Sequence, residues 1–176
     1  MDAYIDLETS GLNPRYNQIL SIGIIIAGEE HLIPVEHDSR KRVDPGALRV
    51  NGIDLARWRG YPLARAMELV RELVEEHRLI AHNAAFDAGF IAHAAYETET
   101  PIDNTWGCTL DWSRRIPTLV GIRRRTLASL HEHLTGTTPS NLHDALEDAR
   151  SCRRIAQALR ELDPEEAYLR LHGSVK

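Results

Sequence analysis

The chain has 176 residues, 43% of them hydrophobic, which suits one compact domain with one sizeable core. Its formal net charge is −5, from 26 acidic against 21 basic residues, so the overall charge does not mark a nucleic-acid binder. Bound cations would offset several carboxylates, however, and the placement of the basic residues matters more than their sum. Cys108 and Cys152 form no CxxC pair, which argues for a reduced, cytoplasmic setting and against a disulfide scaffold. The start, Met1-Asp2-Ala3-Tyr4-Ile5-Asp6, has no basic region and no long apolar run, so no signal peptide is expected. No stretch reaches the ~18 apolar residues of a membrane span.

In chain order, residues 3–7, 19–27 and 31–36 read as strands, with Pro34 suggesting an edge and Gly28-Glu29-Glu30 a hairpin turn. A short helix is expected over 45–51. Leu63, Met67, Val70 and Val74 keep helical spacing within 62–77, behind Pro62 at the start. Residues 78–81 and 104–108 read as short strands, with a helix at 84–96 between them. Further helices are expected at 109–115, 126–134, 144–160 and 164–172. Stretches 37–44, 117–125 and 135–141 read as loops. Three strands in an antiparallel meander, followed by alternating helices and strands, predict an α/β layered fold. Its mixed sheet has five strands flanked by helices, in a single domain over 1–176.

Three groups of residues carry the chemistry. Asp6 and Glu8 are two apart on a strand, so they share a face opposite Ile5 and Leu7. In His82-Asn83-Ala84-Ala85-Phe86-Asp87, Asn83 is a good N-cap and Asp87 falls in the first helical turn, where the helix dipole favours negative charge. Phe86 and Phe90 are spaced to pack together, and His82 reads as a supporting residue at a strand end. In His143-Asp144-Ala145-Leu146-Glu147-Asp148, Asp144 and Glu147 have capping-box spacing. Capping explains both but leaves Asp148 unexplained, pointing towards protein beside Cys152 and Ile155, with His143 just outside the helix. Hard oxygen ligands of this kind suit Mg²⁺ or Mn²⁺.

Asp6-Leu7-Glu8-Thr9-Ser10-Gly11-Leu12, His82-Asn83-x-x-Phe86-Asp87 and His143-x-x-x-x-Asp148 resemble, in order and separation, the three exonuclease motifs of the DEDDh (DnaQ-like) family. The resemblance spans roughly residues 4–155. It implies a ribonuclease H-like fold and two-metal-ion hydrolysis that removes nucleoside 5′-monophosphates from the 3′ end of single-stranded or frayed DNA, with RNA as an alternative. It implies Asp6, Glu8, Asp87 and Asp148 as ligands of two Mg²⁺ or Mn²⁺ ions and His143 as general base towards the attacking water. Thr9, Leu12, Asn83 and Phe86 would contact the terminal nucleotide. Val50-Asn51-Gly52-Ile53 departs from the family's frequent His-Gly-Ile at Asn51, which is given no role.

Arg123-Arg124-Arg125 reads equally as a phosphate-binding strip upstream of the cut or as a solvated basic loop. His131 and His133, two apart on a helix, cannot share a metal. Other readings of the site are an epsilon-like polymerase proofreading subunit, an RNA-trimming or oligoribonuclease-type exoribonuclease, an inactive binding module and a small-molecule phosphodiesterase. Partners implied by the family are nucleic-acid 3′ ends and either a DNA polymerase or a second copy of the chain, with no membrane.

Overall fold

Five strands form one sheet in the order β3-β2-β1-β4-β5 in the computed structural model, which describes residues 1–163. β1 (Asp2–Thr9), β2 (Ile19–Ile26) and β3 (Glu29–Pro34) make the antiparallel meander, while β4 (Arg78–Ala81) and β5 (Trp106–Cys108) extend the sheet in parallel. β3 lies at the edge and ends on Pro34, where a missing N–H costs the ladder little. The β2–β3 turn is tighter than the sequence suggests. Ala27 and Gly28 both take positive φ (52° and 93°), and β3 begins at Glu29, so Glu29 and Glu30 are strand residues. Two successive positive-φ residues match the twist of the strands they join.

Alternation along β1 divides the core. Ala3, Ile5 and Leu7 face α2 (Leu63–Val74) and α3 (Ala84–Thr98), joined by Ile22 and Ile24 of β2 and by Met67 and Val70 of α2. Tyr4 faces the other way, with Ile25 and Ile80, against α4 (Thr109–Arg115), α5 (Leu127–Thr135) and α6 (Ala145–Leu162). Each fully buried Ile or Leu contributes about 1.5–3 kcal/mol, so this alternation fixes the register of β1. Asp6 and Glu8 continue the Tyr4 row, towards α6.

α6 reaches them through one small residue. Gly23 lies opposite Asp6 in the β1–β2 ladder, and a Cβ on it would sit 2.2 Å from the Ala145 carbonyl oxygen. Only glycine lets the first turn of α6 approach the sheet there. α1 (Pro45–Asn51) begins on Asp44, whose carboxylate accepts from Gly46 N–H at 2.7 Å, and stops at Gly52 with φ 69°. A 3-10 turn at Pro117–Leu119 breaks the loop that follows α4. The helix expected at 164–172 lies outside the described residues. No helix among the described residues is long and apolar enough to cross a membrane, and Cys108 and Cys152 are free thiols.

Candidate active site

Four carboxylates converge where β1 runs on past the end of β4. Asp6 and Glu8 come from β1, Asp87 from the first turn of α3 and Asp148 from the first turn of α6. Asp87 and Asp148 are only 2% and 6% exposed, and Glu8 9%. Burial pushes the Asp6 carboxyl far above its usual range, and the negative charges of Asp87, Asp148, Glu8 and Asp144 add to this. Glu8 is pushed up to about 8, by burial first and then by Asp148, against a lowering hydrogen bond from Asn51. Burial takes Asp87 to about 8, although backbone N–H groups of Asp87 and Leu7 hydrogen-bond to it. Asp148 is raised to about 6, again mainly by burial, with the His143 backbone bond opposing. Acids that crowd and bury one another in this way call for a positive partner.

The local geometry shows where that partner fits. The backbone N–H of His143 donates to Asp148 Oδ2 at 3.1 Å, while Asp148 Oδ1 is buried without a hydrogen-bond partner. One donor atom each from Glu8, His143 and Asp148 lie within 4.8 Å of one another. A buried carboxylate oxygen left unpaired is costly. A divalent cation would satisfy it, and a donor set that is mostly hard oxygen would suit Mg²⁺ or Mn²⁺.

Asp144 caps α6 through the N–H groups of Leu146 and Glu147, both at 3.1 Å. The capping box is only half formed, because Glu147 pairs with Arg150 instead of returning to the cap. His143 therefore lies outside the helix, exposed, with φ 68°.

The other expected site residues are placed unequally. Asn83 occupies the N-cap position of α3, but with φ 63° and no side-chain cap bond, which corrects the capping expectation. Its left-handed backbone turns the chain from β4 into α3 and leaves its amide exposed. Phe86 is half-buried against Phe90, with ring centroids 5.0 Å apart. The Thr9 hydroxyl is committed to the Gly11 carbonyl at 2.7 Å. Leu12 stands out of the loop, 78% exposed. His82 is tied away from the carboxylates, to Thr109 Oγ1 at 2.9 Å and the Arg125 carbonyl at 2.8 Å. His131 is buried and His133 exposed, so they share no site.

Asn51 is the residue the sequence reading passed over. Its Nδ2 donates to the Thr9 carbonyl at 3.2 Å and its Oδ1 accepts from Ile53 N–H at 3.1 Å. Its amide also lies beside Glu8, where it favours the ionised carboxylate. Together with Glu8, Ile53, Trp58, His143 and Asp144 it lines a cleft of about 270 Å³. The signal available was its place in a short motif of the family, obscured by the unusual residue there.

Comparison with known proteins gives a consistent picture. The profile of the RNase_T exonuclease family matches residues 4–156. A putative bifunctional exonuclease/endonuclease of Mycobacterium tuberculosis is 30% identical over 176 aligned positions, covering 89% of this chain and 26% of that protein. Ribonuclease T of Buchnera aphidicola is 30% identical over 125 positions, covering 57% of this chain and 55% of its own. The zinc-bound complex of Escherichia coli exonuclease I with single-stranded DNA superposes with a TM-score of 0.78 at 22% identity, over 97% of this chain and 42% of the exonuclease. That likeness is one of fold, and the chain spans less than half of exonuclease I and about a quarter of the mycobacterial relative.

Proposed function

Because the chain belongs to the RNase_T exonuclease family, DnaQ-like within the ribonuclease H-like superfamily, we propose that it is a metal-dependent 3′→5′ exonuclease releasing nucleoside 5′-monophosphates from single-stranded or frayed DNA ends. The observation that carries this reading is the meeting of Asp148, with its orphaned Oδ1, Glu8 and the His143 loop over the Asp6 strand. In this reading the described fold is one exonuclease domain, and Asp6, Glu8, Asp87 and Asp148 would hold two Mg²⁺ or Mn²⁺ ions. Such ions, when bound, stabilise negative charge on the attacking and leaving oxygens of a phosphodiester.

The chain's own groups do the rest. The His143 imidazole takes the proton of the attacking water. Asp148 keeps the His143 loop in place through its backbone N–H. Asn51 orients Glu8. Exposed Leu12 and half-buried Phe86, with Thr9 and Asn83, would contact the terminal nucleotide. Stacking on apolar and aromatic surface tolerates any base.

The test is digestion of 3′-labelled single-stranded DNA, frayed duplex, RNA and dinucleotides in Mg²⁺ or Mn²⁺, with Asp6→Ala as control. Mononucleotides released first, and lost in the variant, support the reading. Large first fragments, or full activity in the variant, overturn it. Faster cleavage of RNA than DNA would move the substrate towards that of the ribonuclease T relative.

A further inference from the structure

Three successive arginines, 123 to 125, are used in two different ways. Arg125 turns inward, where its guanidinium donates to the Ser113 carbonyl at 2.6 Å, to Ser113 Oγ at 3.3 Å and to the Leu119 carbonyl. Its own carbonyl lies 2.8 Å from His82 Nε2. A carbonyl only accepts, so His82 carries its proton on Nε2, and Nδ1 is left to accept from the Thr109 hydroxyl at 2.9 Å. Burial holds the His82 pKa below its usual value, in keeping with a neutral ring. The carbonyl of Arg124 accepts from Ser129 Oγ at 2.9 Å. Two consecutive carbonyls of the loop are thus pinned, one of them to the residue just before Asn83 and the first turn of α3.

Arg123 and Arg124 remain exposed on this fixed backbone, and neither is in an ion pair among the described residues. Arg40, Arg78, Arg114 and Arg150, by contrast, are matched to Asp38, Asp2, Asp111 and Glu30. A chain of net charge −5 with four carboxylates gathered at its centre repels a polyanion unless cations are placed beside the site.

We propose that Arg123 and Arg124 form a phosphate-binding strip for the single strand upstream of the cut, held beside α3 by the His82–Arg125 strap. The inference rests on the exonuclease reading and adds to it a binding surface and a dependence on strand length. The guanidinium fork matches phosphate oxygens, and a backbone fixed in advance lowers the ordering cost of binding.

Fluorescence anisotropy with a cleavage-resistant phosphorothioate 12-mer in Mg²⁺, over a range of salt, tests it. Arg123→Gln/Arg124→Gln should weaken binding about tenfold and reduce the slope of log affinity against log salt by about 1.4, since each single-strand phosphate contact contributes about 0.7. The kcat/KM of a 12-mer relative to a dinucleotide should fall with it. Arg65→Gln/Arg71→Gln on α2, which packs on the opposite face of the sheet, removes the same charge and should leave the slope in place. An unchanged slope in the loop variant, or an equal loss in the α2 variant, overturns the strip. Binding by the native chain without release of mononucleotides would instead count against the exonuclease reading and leave the strip standing.

Discussion

His143 holds Asp148 through its backbone, not its ring: the His143 N–H donates to Asp148 Oδ2 at 3.1 Å, from a residue whose φ of 68° is in the left-handed region. A non-glycine residue there costs of order 1–3 kcal/mol, and the bond to Asp148 helps offset it. The bond leaves the ring uncommitted, as the proposed general-base role requires. His143→Ala should lower kcat by about 10²–10⁴-fold, the usual worth of a general base. It should keep the rise in melting temperature caused by Mn²⁺, since the backbone N–H survives. His143→Asn, which tolerates the left-handed turn, should behave alike. Loss of the Mn²⁺ response in both variants would make the ring a ligand.

The carboxylates predict an inverted pH response in the metal-free protein. Glu8 and Asp87 are raised to about 8 and Asp148 to about 6, against the usual 4.5 for Glu and 3.8 for Asp. In that interval the folded chain binds more protons than the unfolded chain, so stability falls as pH rises. The melting temperature in a chelator should therefore drop from pH 5 to pH 8, by about 5 °C or more. Mg²⁺ or Mn²⁺ needs the ionised acids, so its stabilising effect should be larger at pH 8 than at pH 6. A metal-free melting temperature that is flat or rising over this range would refute the coupling.

Asp148→Asn separates function from stability. The substitution removes a buried charge and keeps the shape, so the metal-free protein should melt at the same temperature or about 2–5 °C higher at pH 8. Activity should fall by at least about 10³-fold if Asp148 is a ligand, and the shift with Mn²⁺ should shrink or vanish. A clear loss of metal-free stability would mean that Asp148 is held by protein contacts that Asn cannot reproduce.

Much of this site could be read in the chain because its signals are local. Asp6 and Glu8 share a face by strand period, and Asp148 stood out once Asp144 was read as the cap, although Glu147 pairs with Arg150 and does not complete the box. What escaped depends on contacts between distant segments. Asn51 meets Glu8 and the Thr9 carbonyl only after α1 folds back on the end of β1. Asn83 looked like a side-chain cap, but its backbone conformation is what turns β4 into α3. The β2–β3 turn was placed one residue late because Ala27 adopts a positive φ that its residue type rarely takes. Arg125 reads as one more surface charge until Ser113, Leu119 and His82 close around it.

Asn51→Ala should act through Glu8. Residues that orient metal ligands typically change affinity or activity about 10–100-fold, so the Mg²⁺ concentration for half-maximal activity should rise within that range. The turn also loses its bonds to Thr9 and Ile53, which should lower the melting temperature by a few degrees, about 2–4 °C per kcal/mol. A fall in melting temperature with an unchanged Mg²⁺ titration would reduce Asn51 to a turn residue.

Gly23→Ala tests how the sheet positions α6. Gly23 is paired with Asp6, and its missing side chain makes room for the Ala145 carbonyl, three residues before Asp148. An added methyl would lie 2.2 Å from that oxygen, so the first turn of α6 must lift or the strand must bend. Overpacking of this kind costs about 1–3 kcal/mol or more, and the melting temperature should fall accordingly. Lifting the turn also moves Asp148 away from Asp6 and Glu8. Turnover at a temperature where the variant is fully folded should therefore drop by about 10²-fold, as displacements of about 1 Å commonly cause. Raising Mn²⁺ should recover only part of it, because the ligands remain but their spacing does not. If the variant loses stability yet keeps native turnover and Mn²⁺ affinity, the close approach of Ala145 to Gly23 serves packing alone, and some other contact sets Asp148 beside Asp6.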